Sequence, residues 1–237
     1  MDERQLFDRF HQALDVETPR GAVDRLAAAM AARGAPRQRH AWIPGLPLPI
    51  RLRNAATLVA LQAETGAPVA GDDMLDALLR RNLDLEFADR FEPDLATAWS
   101  DHFRELYVDH GVPGTHLLPG ARESIAAVHD LDGRAIVVTA KYEPNALRCL
   151  DRVGLVVDAV FGWRYADAKG DTLRDEGAAV YVGDTPNDVR AAARADAHMV
   201  AVTTGPHPAE ELRAAGATTV LDSLADFPRW LRDHASE

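Results

Sequence analysis

Residues 179–197 read AVYVGDTPNDVRAAARADA, and this stretch decides the fold. A short apolar run from Ala179 to Val182 ends on Gly183-Asp184, Thr185-Pro186 turns the chain, and Asp188 follows one helical turn after Asp184. The spacing predicts a strand, a tight turn and a helix, with two carboxylates together at the carboxyl end of the strand. Two acids so placed suit a hard cation that binds through oxygen.

The same texture continues on both sides. Short apolar, β-branched runs at 134–140 (RAIVVTA), 156–162 (VVDAVFG), 178–184 (AAVYVGD), 198–205 (HMVAVTTG) and 218–224 (TTVLDSL) alternate with helical patterns. Near-continuous apolar strands separated by helices predict an α/β fold, a parallel sheet with helices on both faces. Ligands of such sheets bind beyond the carboxyl ends of the strands. The polar residues expected there are Thr139 and Lys141 after the first run, Asp184 and Asp188 after the third, and Thr203-Thr204-Gly205 after the fourth. Lys169, in DAKGDTL, falls between the second and third runs, where a helix can aim it at the same crevice. A hydroxyl, an ammonium group and two carboxylates suit a phosphate beside a magnesium ion.

Those residues carry a resemblance. IVVTAKYEPNA, AKGDTL and YVGDTPNDVRAA, in this order and spacing, resemble the second, third and fourth motifs of the haloacid dehalogenase (HAD) superfamily, in its phosphoglycolate-phosphatase-like branch. The resemblance implies a HAD-like Rossmannoid sheet over about residues 118–237 and a small all-helical cap over 54–117. It implies Thr139 and Lys169 as catalytic residues, Thr139, Ala140, Lys141 and Lys169 as substrate-binding residues, and Asp184 and Asp188 as holders of Mg2+. The substrate it implies is a small phosphorylated metabolite. Taken singly, these residues also have plain structural readings: Thr139 ends a strand, Lys169 is a surface lysine, and Asp184 caps the helix that follows it.

The chain departs from the family at its first motif. That motif is an Asp-x-Asp sequence whose first aspartate attacks phosphorus, at the end of a central first strand that precedes the cap. The corresponding place, about residues 40–50, reads HAWIPGLPLPI, and no aspartate occurs between Asp24 and Asp72. Asp130-Leu131-Asp132-Gly133 imitates the pattern but precedes its strand, so it reads as a helix-to-strand turn. His40 is the remaining conceivable phosphate acceptor. Residues 1–53 stand apart, as two short amphipathic helices and a stretch with prolines at 36, 44, 47 and 49. Each proline removes a backbone donor and so opposes a central strand. The first strand is therefore expected to be absent or replaced, with LPIRLR (48–53) able to supply a few strand residues. Three readings follow: a HAD phosphohydrolase of reduced activity, an inactive relative that keeps the magnesium and phosphate site, or a truncated or spliced reading frame.

Composition narrows the classes. The net charge is −11 with no basic concentration, which opposes nucleic acid as a partner. The single cysteine, Cys149, excludes an intrachain disulfide and a paired-cysteine metal site. No stretch reads as a membrane span, and the charged start MDERQLFDRF does not resemble a signal peptide, so a cytoplasmic location is expected.

Overall fold

A computed structural model describes residues 50–80, 82–205 and 207–235. The helices expected over 1–36, His40 and nearly all of the stretch at 40–50, where the nucleophile motif is expected and no aspartate stands, lie outside the described residues. The chain divides into two compact units, Met1–His116 and Leu117–Glu237.

In the described part of the first unit the elements are helices: α1 (Ile50–Thr65), α2 (Asp72–Arg80), α3 (Leu83–Arg90) and α4 (Pro93–His110). The expectation that LPIRLR contributes strand residues is corrected here, because the helix already begins at Ile50. From Ile50 to Thr65 neither proline nor glycine interrupts the sequence, so a continuous helix is open to it once Pro49 is passed. Ala55, Leu58 and Leu61 recur at helical spacing and are buried, and α1 packs on α4, whose Phe103 and Tyr107 are buried. Phe87 of α3 is fully buried and meets Phe91 edge to face at 5.5 Å; Phe91 in turn meets Trp99 at 4.9 Å. Such edge contacts add to the area term that holds the helices together.

The second unit alternates strands and helices as the sequence predicts: α5 (Ala121–His129), β1 (Ile136–Val138), α6 (Glu143–Val153), β2 (Ala159–Phe161), α7 (Asp167–Asp175), β3 (Val180–Gly183), α8 (Pro186–Arg194), β4 (His198–Val202), α9 (Ala209–Ala214), β5 (Thr219–Leu221), a 3-10 turn (Leu224–Asp226) and α10 (Phe227–His234). Among the described residues all pairings are parallel. The core explains why the strands are apolar on both faces. Tyr181, Met199 and Ala201 pack with Val189 and Ala192 of α8 and Leu212 of α9. Val180, Val182 and Val200 pack with Ala127 of α5 and with Phe227 and Leu231 of α10. Helices thus cover both faces. No described helix is long and apolar enough to cross a membrane. Asp130-Leu131-Asp132-Gly133 is a turn between α5 and β1, as expected, with Asp132 in the left-handed region (φ 54°).

Among the described residues the sheet is in two pieces, β1-β2 and β3-β4-β5. The division falls where the resemblance puts the first central strand, between β1 and β3. Both pieces share one core: Val138 of β1, Leu173 of α7 and Ala191 of α8 pack together with Ile136 and Tyr181. In β1, Thr139 N–H donates to Phe161 O and Ala135 O accepts from Asp158 N–H. By the alternation of a parallel ladder, Ile136 and Val138 then turn their backbone groups away from β2. His198 N–H donates to Ala179 O, so Val180 and Val182 likewise turn theirs away from β4.

Candidate functional site

The quoted stretch folds as β3, turn and α8, and the turn builds the site. Thr185 is the N-cap of α8 and Pro186 occupies the first turn, where a missing N–H costs nothing. Thr185 Oγ1 accepts from Asp188 N–H at 3.2 Å, and Asp188 Oδ2 accepts from Thr185 N–H at 3.1 Å and from Thr185 Oγ1 at 2.7 Å. This is a capping box with aspartate in its second place. The plain reading of Asp184 as the cap is therefore corrected: Thr185 and Asp188 cap the helix. Asp184 itself gives its backbone N–H to Asp188 Oδ2 at 3.3 Å.

Lys169 reaches the same turn from α7. Its Nζ donates to Asp188 Oδ1 at 2.6 Å, with the two side chains 16% and 6% exposed, so this pair is shielded from solvent, unlike a typical surface bridge. Tyr181 OH donates to the same oxygen at 3.0 Å. Burial raises the Asp188 carboxyl, but Lys169, Thr185 and Tyr181 outweigh it and hold the group below its ordinary range. Asp184 moves the other way. Burial first, then the Asp188 charge, push its carboxyl up. Burial and the charge of Asp188 also raise Tyr181 far above its usual range, which keeps its hydroxyl a donor. Two neighbouring carboxylates with pKa values driven apart mark a place prepared for different roles.

Two glycines make this geometry possible. A Cβ on Gly205 would collide with the Asp184 carboxyl, and one on Gly170 would lie 2.8 Å from Arg194 Cδ and 3.0 Å from Ala191 O. Gly205 therefore lets the end of β4 approach Asp184, and Gly170 lets α7 lie close enough to α8 for Lys169 to reach Asp188.

Thr139, Ala140 and Lys141 stand together just past β1. Thr139 Oγ1 accepts from Lys141 N–H at 3.2 Å, and its own hydroxyl hydrogen is not used in that bond. Thr139 O accepts from Arg164 N–H at 2.9 Å, which joins this loop to the one after β2. Arg164 Nε donates to Thr172 Oγ1 at 2.9 Å, tying the pair of loops to α7, the helix of Lys169. The structure thus brings Lys169, Asp184 and Asp188 into one cluster and Thr139 to Lys141 into a second. The described bonds do not join Thr139 directly to the acids. Sequence reasoning missed Tyr181, Thr185 and the roles of Gly170 and Gly205. The threonine was legible as a helix cap three residues before an acid.

Among the described residues, no group of three or more His, Cys, Asp or Glu side chains is placed to hold a metal ion.

Residues 163–227, the stretch containing Lys169, Asp184 and Asp188, match the HAD-hydrolase-like family model. This part of the chain resembles the HAD-like hydrolases. It is 25% identical over 183 residues to a phosphoglycolate phosphatase of Photobacterium profundum, covering 70% of this chain and 77% of that one. It is 29% identical over 145 residues to a phosphoserine phosphatase of Halobacterium salinarum, covering 51% of this chain and 66% of that one, just under two thirds of its length. Among solved structures, CbbY from Rhodobacter sphaeroides in complex with phosphate superposes with a TM-score of 0.62 at 18% identity, over 77% of this chain and 92% of that one. Both sequence relatives are named as phosphatases, at 29% and 25% identity to this chain.

Proposed function

We propose that this chain binds a small phosphate monoester together with a magnesium ion at the carboxyl ends of β1 and β3, and that it hydrolyses the ester only slowly. The observation that carries the binding reading is the shielded Lys169-Asp188 pair beside Asp184, a half-buried carboxyl with a raised pKa. A carboxylate held near another negative charge gains from a cation more than an exposed one does.

The residues fit magnesium in a limited way. Magnesium is commonly held by one or two carboxylates, with phosphate oxygens and waters completing its shell. Asp184 is the carboxylate available to it. Asp188, whose oxygens already accept from Lys169, Tyr181 and Thr185, holds the turn and the lysine in place. When bound, the ion would neutralise phosphate charge. Lys169 would add its ammonium on the same side, and Thr139 would donate its hydroxyl to a phosphoryl oxygen.

The slow-turnover reading comes from the sequence. Covalent phosphoryl transfer needs a carboxylate at the end of the first strand, and no aspartate lies between Asp24 and Asp72. Binding and positioning alone accelerate attack by water far less than a covalent path does. Calorimetric titration of magnesium and of inorganic phosphate into the protein and into Asp184→Asn tests the binding reading. Magnesium-dependent phosphate binding that Asp184→Asn abolishes is expected. Equal binding by both proteins, or none by either, overturns it.

A further inference from the structure

At the second cluster, the loops after β1 and β2 hold an aromatic pair that the phosphate site leaves unused. Trp163 is 51% exposed although it is among the largest apolar side chains. Its backbone is in the left-handed region (φ 53°), which a bulky residue with a Cβ adopts only at a cost. Two bonds enforce that conformation: Trp163 N–H donates to Lys141 O at 2.9 Å, and Arg164 N–H donates to Thr139 O at 2.9 Å. A third bond, Gly162 N–H to Glu143 Oε2 at 2.9 Å, fixes the preceding residue against the start of α6. The Tyr142 ring supports the indole at 5.1 Å, tilted by 43°. Strain of this kind, held by neighbours, presents a half-exposed indole from the loop whose backbone bonds to Thr139 O and Lys141 O, next to the proposed phosphate-binding threonine in the fold.

We propose that Trp163, backed by Tyr142, is a specificity-determining residue that packs against a planar aromatic ring on the alcohol side of the phosphate monoester. This rests on the phosphate-site reading above and adds the substrate class. An ester whose phosphate lay at Thr139 and Lys169 would have its alcohol group near the loops after β1 and β2, and a flat ring packed on the indole there would remove apolar area of both partners from water. The geometry favours an aryl ester over a short alkyl ester, whose single methyl group covers little of the indole.

The test is calorimetric, in the presence of magnesium, with phenyl phosphate, methyl phosphate and inorganic phosphate as probes. The protein is expected to bind phenyl phosphate about fivefold to tenfold more tightly than methyl phosphate. Trp163→Ala is expected to lose that preference while binding inorganic phosphate as before, and Trp163→Phe to keep most of it. Retained phosphate binding also certifies that Trp163→Ala is folded. Equal affinity for the two esters in the unaltered protein, with phosphate still bound, overturns the role of Trp163 alone. Failure of the unaltered protein to bind phosphate at all overturns the site reading beneath it.

Discussion

Asp184 and Asp188 are four residues apart and electrostatically opposite. Asp188 is a shielded carboxylate with a lysine, two hydroxyls and two backbone N–H groups around it; Asp184 is half-buried with like charge as its neighbour. Because its folded pKa is raised, stability associated with Asp184 is full below the ordinary carboxylate range and is lost as pH rises through the raised value. Without metal, Asp184→Asn is therefore expected to raise the melting temperature near neutral pH and to abolish the rise that magnesium produces in the unaltered protein. Thermal unfolding with and without magnesium checks both. A melting temperature lowered by the substitution contradicts the assignment. Asp188 behaves in the opposite sense: its folded pKa is lowered, so its contribution is present above the ordinary carboxylate range and lost as pH falls through the lowered value. Asp188→Ala leaves the Lys169 ammonium shielded and without its carboxylate, and is expected to cost about 3 kcal/mol in denaturant unfolding. A cost under about 1 kcal/mol would mean that the pair does not hold the turn. The chemistry of these acids was legible in the sequence because VGDTPND places them on a strand-to-helix turn. Their division of labour was not, since it depends on Tyr181 and on a lysine nineteen residues away.

At the scale of elements, the site depends on how closely α7 and α8 approach. Gly170→Val would press a branched side chain against Ala191 O, a backbone atom that cannot swing aside, and against the Arg194 side chain. The expected cost is about 1–3 kcal/mol, accompanied by weaker phosphate binding as Lys169 is carried away from Asp188. Calorimetry and denaturation on the same variant separate the two effects, and unchanged phosphate affinity would detach Lys169 from the site. The need for glycine at 170 could not be read from DAKGDTL, because it arises from a contact with a helix that follows in the chain. In the helical unit, His102 of α4 lies between Glu105 and Glu64 at 3.0 and 2.8 Å, and bonds to both hold its pKa above the usual histidine value. Its contribution to stability is full below the unfolded histidine value and declines as pH rises through the folded one. His102→Gln is expected to flatten that part of the pH dependence. The alternation of strands and helices was visible from 134 onward because apolar runs buried on both faces have a distinctive texture. The helical start at Ile50 was missed because Leu-Pro-Ile-Arg-Leu-Arg offers apolar alternation and helix-compatible residues together, and the packing of α1 on α4 settles it.

At the scale of the whole molecule, the decisive feature is the division, among the described residues, of the sheet between β1 and β3. β4, paired on both edges, is buried from Met199 to Val202, while no residue of β3 is fully buried. Backbone N–H groups that turn toward an open edge exchange readily with solvent. Hydrogen exchange is expected to be faster at Val180 and Val182 than at Tyr181 and Gly183, which face β4, and faster at Val138 than in β4; uniform protection along β3 would show that its second edge is paired. Under the proposed function the same division separates binding from chemistry, since the sequence reading puts the nucleophile on a first strand between these two pieces, where no aspartate stands between Asp24 and Asp72. The measurement that tests this most directly is magnesium-dependent release of phosphate from a panel of small monoesters, by the protein beside Asp184→Asn. Turnover orders of magnitude below the usual enzymatic range of about 1–1,000 per second, in a protein that nevertheless binds phosphate, is the expected result. Turnover within that range, abolished by Asp184→Asn, would show that the chain has a nucleophile outside the residues named here and would contradict the account.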